Sequence, residues 1–256
     1  MTPLPTLGGN NAAATGVNNR GDVVGAAENS VQDPSCAGRQ KLDFYAVIWQ
    51  RNGTTATLPP IDGDTVSQAA AVNNSGQVVG ASGPCGPPFN NLYGTAHAVL
   101  WQTGSAIDLG RLGGKTGNAA LAINDRGQVV GFADLPGDNT FHAFLWQRGS
   151  MADLGTLPGD VLSVALGINN KGQVVGQSCD AKGNCRAFIW QNGSMTDLNL
   201  LRDPHSPYYL TYGGYINDRG WVVGAANDAK TGGSPAFLAL PSGQGNLRTA
   251  SVSQAK

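Results

Sequence analysis

The sequence predicts an all-β fold: a five-bladed β-propeller with four antiparallel strands per blade. Three observations carry this. First, one turn motif recurs five times, as VNNRGDVVG (17–25), VNNSGQVVG (72–80), INDRGQVVG (123–131), INNKGQVVG (168–176) and INDRGWVVG (216–224). Its asparagines, at 18, 73, 124, 169 and 217, are spaced by 55, 51, 45 and 48 residues. That period suits a four-stranded repeat. Second, each turn is followed by a short apolar run: AVIW (46–49), AVLW (98–101), AFLW (143–146), AFIW (187–190) and AFLA (236–239). Third, a closing segment ends the first four repeats: TATL (55–58), AIDL (106–109), MADL (151–154) and MTDL (195–198). Strand-sized runs bounded by Gly, Asn and Asp read as consecutive hairpins.

Composition agrees. Of 256 residues 37 are Gly and 14 Pro. Glu28 is the one glutamate, and the other acids are Asp, a turn residue and a poor helix former. The formal net charge is −1, with no basic run, which argues against nucleic acid as a partner. No apolar run reaches membrane-spanning length. Residues 1–20 lack the charged start and apolar stretch of a signal peptide, so an export signal is not expected within this chain.

The ends of the chain suggest how the ring closes. MTPLPTLGG (1–9) aligns with MADLGTLPG (151–159), whereas the fifth repeat has no closing segment after Leu240. Residues 2–7 are therefore expected to pair with 236–240 and complete the fifth blade. Residues 1–240 then form a single domain, and 241–256 a flexible tail.

These motifs resemble the HAF-repeat family, extracellular repeat proteins of bacteria. The resemblance rests on His142-Ala143-Phe144-Leu145-Trp146, on DLGTLPG (153–159) and on the five N-x-x-G-x-V-V-G turns, and it covers residues 1–240. It implies an exported or cell-surface location and supplies no catalytic residues. Repeat five departs from the pattern, with Trp221 for Gln and Ala239 for Trp.

The repeated Asn and Gly read as turn formers, since both tolerate left-handed backbone and Asn satisfies turn amides. Trp49, Trp101, Trp146 and Trp190 read as packing between blades. The first strand of each repeat is small-residue rich, as five strands crowding one axis require, except that Tyr215 stands where the others have Gly16, Ala71, Ala122 and Gly167. It is expected either to plug the channel or to line a pocket. His97 and His142 share one repeat position with Tyr45, Arg186 and Pro235, and read as structural; no metal site is expected. The four cysteines match no zinc signature. They favour an oxidising compartment, with a Cys179–Cys185 disulfide across a hairpin and Cys36–Cys85 between neighbouring repeats.

Function would live on the face whose loops vary between repeats, 27–44, 81–96, 177–186 and the connections between blades. The most distinctive is 201–215, with Arg202, Asp203, His205, Tyr208, Tyr209, Tyr212 and Tyr215; Asp62, Asp64, Lys115 and Asp160 join it from other loops. Aromatic faces and polar groups together suit sugars. The first expectation is a secreted or surface-associated non-catalytic module, carbohydrate-binding at the upper mouth of the channel, with no cofactor. A second reading is a glycoside hydrolase or lyase using loop carboxylates. A third is a structural or protein-interaction ring.

Overall fold

A computed structural model describes residues 3–34, 36, 41–85, 97–203, 205–241 and 247–249. The described residues build five four-stranded antiparallel sheets. The first comprises β1 (Gly8–Val17), β2 (Val23–Gln32), β3 (Leu42–Trp49) and β4 (Thr55–Leu58). The second comprises β5 (Val66–Val72), β6 (Val78–Gly83), β7 (His97–Gln102) and β8 (Ser105–Asp108). The third comprises β9 (Asn118–Ile123), β10 (Val129–Asp134), β11 (Phe141–Gln147) and β12 (Ser150–Asp153). The fourth comprises β13 (Leu162–Ile168), β14 (Val174–Cys179), β15 (Cys185–Gln191) and β16 (Ser194–Asp197), followed by a 3-10 turn at Leu198–Leu200. The fifth comprises β17 (Tyr208–Ile216), β18 (Val222–Asp228), β19 (Ala236–Pro241) and β20 (Leu247–Thr249). Strands follow chain order within every sheet, so strands consecutive in the chain are neighbours there.

The motif N-x-x-G-x-V-V-G is explained residue by residue. Its asparagine uses its whole side chain. Asn73 Oδ1 accepts the amides of Ser75 and Gln77, and its Nδ2 donates to Gln77 Oε1 and to the backbone carbonyl of Asn124, in the next turn. Asn169 repeats this with Lys171, Gln173 and the carbonyl of Asn217. Asn18 does so with Arg20, Asp22 and the carbonyl of Asn73. Two donors and two acceptors are all an amide side chain has. The next residue adds a second tie: Asn74 N donates to Asp125 Oδ1, and Asn170 N to Asp218 Oδ1. Left-handed backbone belongs to the glycine of the turn, as at Gly76 and Gly172, and not to the asparagine, contrary to the sequence reading.

The glycine that ends the motif has a different cause. The first strand of each sheet shifts register opposite it, between Ala69 and Ala71 in β5 and between Ala165 and Gly167 in β13. A Cβ at Gly80 or Gly176 would lie about 2 Å from a backbone carbonyl of that strand, at Gln68 and Val164 respectively. No side chain fits there.

The valines between these residues form the core. Val24, Ala46, Ile48 and Leu58 of the first sheet pack on Ala69, Val72, Val78, Val99 and Trp101 of the second. Val175, Ala187 and Leu198 pack on Leu210, Val222, Phe237 and Ala239 of the fifth. Trp49 and Trp101 are buried, and their Nε1 groups donate to the carbonyls of Pro5 and Pro59. The tryptophans therefore pack and anchor the preceding segment.

The chain divides into two compact units, Met1–Asn139 with Leu145–Ala152, and Thr140–Phe144 with Asp153–Lys256. In the first, residues 5–7 lie against the first sheet: Leu7 N donates to Glu28 O, and Leu7 packs on Ala27, Val47 and Trp49. In the second, the fourth strand of the last sheet is β20, with Leu247, Arg248 and Thr249 opposite Pro241, Leu240 and Ala239. This corrects the expectation that residues 2–7 pair with 236–240 and that 241–256 is a tail throughout. Pro3 and Pro5 lack the amide donors a ladder strand requires, and Leu7 is already packed, partly buried, against the first sheet. The two ends of the segment 27–44, expected as a loop, belong to β2 and β3. Most of 81–96 lies outside the described residues.

Both expected disulfides are formed. Cys179–Cys185 joins residues directly opposite in the β14–β15 ladder, and Cys36–Cys85 joins the first and second sheets. No described helix is long and apolar enough to cross a membrane.

Asn169→Ala removes four side-chain hydrogen bonds and is expected to cost about 2–4 kcal/mol in denaturant unfolding. Asn217 makes two, with the amides of Arg219 and Trp221, and Trp221 offers no side-chain acceptor in the place of the usual glutamine. Asn217→Ala is expected to cost about half as much; equal losses would show that the link between turns contributes nothing.

Candidate functional site

One electrostatic device recurs with different chemistry. An acid in the connection before a sheet meets a base at the start of that sheet's third strand. In the second sheet His97 Nδ1 lies 2.9 Å from Asp64 Oδ2. In the fourth, Arg186 Nη2 lies 2.8 Å from Asp160 Oδ1. In the third, Lys115 occupies the acid's place, and His142 turns instead to Asp153, at 2.9 Å. Both histidines are thus paired with carboxylates, His97 with one in the connection before its sheet and His142 with one in its own sheet.

The contacts around Asp64 contain serine, histidine and aspartate, but in the wrong order for nucleophilic catalysis. Ser82 Oγ donates to Asp64 Oδ2 at 2.5 Å and accepts the amide of Ile61. The carboxylate stands between hydroxyl and imidazole, whereas a triad needs the imidazole in the middle. Among the described residues no serine hydroxyl bonds a histidine ring.

The second unit gathers a denser cluster. Arg186 bridges Asp160 and Asp197, its Nη1 lying 3.3 Å from Asp197 Oδ2, and Nη2 also donates to Pro158 O. The hydrogen bond it donates to Asp160 holds the guanidinium above its ordinary pKa. Asp197 is fixed from the other side. Its Oδ1 accepts the amide and the side-chain NH2 of Asn199, whose own amide group pairs with both backbone groups of Leu210 in β17. Tyr209 projects from β17 beside this group and remains 40% exposed. Burial raises its phenol above the usual value, and the nearby Asp197 adds to the effect. Arg202 belongs to the same surroundings and raises no competing claim on the carboxylates: its Nη1 donates to the carbonyls of Ser206 and Asp203. Two buried atoms here, Asp160 Oδ2 and Arg202 Nε, have no hydrogen-bond partner.

Of the residues expected at the site, Asp160, Arg202 and Tyr209 come together. Asp203 closes a turn by accepting the amide of His205, so both serve the loop. Tyr208 packs on the core between the fourth and fifth sheets. Tyr212 and Tyr215 are both exposed on β17, Tyr215 at 75%. The stretch from Tyr208 onward is strand, not loop. Asp62, which is exposed, and Asp64 and Lys115 belong to the first unit; Lys115 N donates to Asp138 Oδ1. Sequence reading missed Arg186 and Asp197 as site residues. The signal was present, since Arg186 shares a repeat position with His97 and His142, and Asp197 closes the MTDL segment.

No family model and no curated protein matches the chain. Solved structures do. A puromycin-hydrolysing peptidase of Mycobacterium tuberculosis is 13% identical with a TM-score of 0.57, over 93% of this chain and 37% of that one. The acylaminoacyl peptidase of Pyrococcus horikoshii is 14% identical with a TM-score of 0.50, over 89% and 35%. A gluconolactonase of Xanthomonas campestris is 13% identical with a TM-score of 0.45, over 93% and 75%. The chain spans little more than a third of the length of the two peptidases. The likeness to the two peptidases fits the five sheets as blades of the β-propeller class. The two peptidases are enzymes, and that finding displaces the expectation of a non-catalytic binding module.

Arg186→Met leaves Asp160 and Asp197 facing each other without a counter-charge. It is expected to cost about 3–5 kcal/mol in denaturant unfolding, with part recovered in Arg186→Met/Asp160→Asn. No recovery in the double variant would show that charge is not the cause.

Proposed function

We propose that this chain is the propeller part of an exported hydrolase or lyase that cleaves glycosidic bonds, with Tyr209, Asp197, Asp160 and Arg186 at its site. One observation carries the reading: a half-exposed phenol stands beside two carboxylates that share a single guanidinium. Such enzymes need an acid and a base on either side of one C–O bond. Tyr209, kept protonated by burial and by Asp197, is the acid that delivers a proton to the departing oxygen. Asp197, held by Arg186 and Asn199, is the carboxylate that takes a proton from water or from substrate carbon. Arg186 holds it in place and balances its charge, and Asp160 in turn holds the guanidinium.

The resemblance of the repeats to the HAF-repeat family supports export to the cell exterior or surface, as do the two disulfides. Closure of the five blades into a ring is part of the same proposal, with β20 rather than residues 2–7 completing the last blade.

The test is a panel of polysaccharides, uronate-containing ones included, assayed for reducing ends and for new double bonds. Tyr209→Phe is expected to lower kcat by about 100-fold or more with an unchanged melting temperature. The pH profile of the parent should show no alkaline fall below pH 10, the ordinary tyrosine value, because the phenol is raised above it. A Tyr209→Phe variant as active as the parent would end this assignment.

A further inference from the structure

The first unit brings four potential metal ligands together near the join of its first two sheets. Asp33 follows β2, Asp43 lies in β3, Cys85 follows β6, and Cys36 lies in the β2–β3 connection. One ligand atom from each, two sulfurs and two carboxylate oxygens, all lie within 4.8 Å of one another. Local bonds fix their backbones: Cys36 N donates to Asp33 O, and Cys85 N to Thr65 Oγ1. Cys36 and Cys85 pack against Val66 and Phe44, so the site has an apolar wall.

Asp43 is the residue that asks for an explanation. It is 7% exposed, and its Oδ1 is buried with no hydrogen-bond partner. Its neighbour in the cluster is a second carboxylate. An unpartnered carboxylate oxygen beside another acid is a costly arrangement to bury. A cation would relieve both the desolvation and the repulsion.

We propose that Asp33, Cys36, Asp43 and Cys85 form a site for a divalent cation of the zinc class when the Cys36–Cys85 disulfide is reduced. The chemistry balances. A dithiol reductant gives the disulfide two electrons and two protons, which break the S–S bond and leave two thiols. Binding of the cation then releases both thiol protons and gives two metal–thiolate bonds. Two carboxylate oxygens complete four-coordination. Thiolate ligands select zinc-like ions over magnesium or calcium. Tetrahedral zinc with bonds of about 2.0–2.3 Å sets its ligand atoms roughly 3.3–3.8 Å apart, a spacing the 4.8 Å cluster can reach by small side-chain movements. The same four residues thus serve the chain in both redox states, clamping the first two sheets by metal when reduced and by disulfide when oxidised.

The test uses the full chain with Cys179→Ser/Cys185→Ser, so that one thiol pair remains, reduced with a phosphine. Titration with Co²⁺ is expected to give a thiolate charge-transfer band and tetrahedral visible bands that saturate at one ion per chain and vanish on adding Zn²⁺. Asp43→Asn should weaken binding by about tenfold or more, since loss of an outer partner alone costs that much. Zn²⁺ should also raise the melting temperature of the reduced chain, and should not do so for Asp33→Asn/Asp43→Asn. No charge-transfer band, or equal affinity in Asp43→Asn, would overturn the proposal. So would a reduced chain that unfolds and does not regain its circular dichroism with Zn²⁺.

Discussion

The asparagine that opens each N-x-x-G turn is the constraint on which the rest depends. Its side chain has four hydrogen-bonding positions, and at Asn18, Asn73 and Asn169 all four are used. Three close the asparagine's own turn. The fourth reaches the backbone of the next turn, some fifty residues on. No other side chain of that size offers two acceptor and two donor sites in this geometry. Aspartate has no donor, and serine has one. Once the turns are tied, the valines that follow must face the neighbouring sheet, and the final glycine must meet the register shift of the first strand without a Cβ. One short motif therefore sets turn, core and sheet spacing together.

Positions outside the motif are released from this duty, and they carry the chemistry. The start of the third strand holds His97, His142 or Arg186, and its acid partner comes from whichever neighbour is available. Where Lys115 replaces the expected acid, the histidine finds Asp153 instead. In the fourth sheet the arginine has two acids, and Tyr209 of the next sheet stands over them. A repeated scaffold with an exchangeable ion pair at a fixed place yields one site that differs from the others without altering the core.

Much of this was legible in the sequence, for physical reasons. Turn glycines, alternating valines and the cysteine pair flanking DAKGN each obey local rules, and both disulfides and all five repeats follow from them. What local rules do not reach was missed. β20 carries Leu247-Arg248-Thr249, which shares no motif with the other closing strands, because its place is set by the edge of β19 alone. MTPLPTLGG imitates a closing segment in letters, but Pro3, Pro5 and the packing of Leu7 against Trp49 put residues 5–7 elsewhere. Arg186 and Asp197 matter through partners distant in sequence. The cluster of Asp33, Asp43 and the two cysteines was invisible because its spacing fits no metal signature and only the fold assembles it.

Native-state hydrogen exchange tests the girdle of turns most directly. The amides of Ser75, Gln77, Lys171 and Gln173 lie in surface turns, where exchange is ordinarily fast, yet each donates to a fully bonded asparagine side chain. If those asparagines tie sheet to sheet, the four amides exchange only on global unfolding, with the same denaturant dependence as Val78 and Val174 in the core. Exchange at the rate of an unconstrained turn, while the valines stay protected, would contradict it.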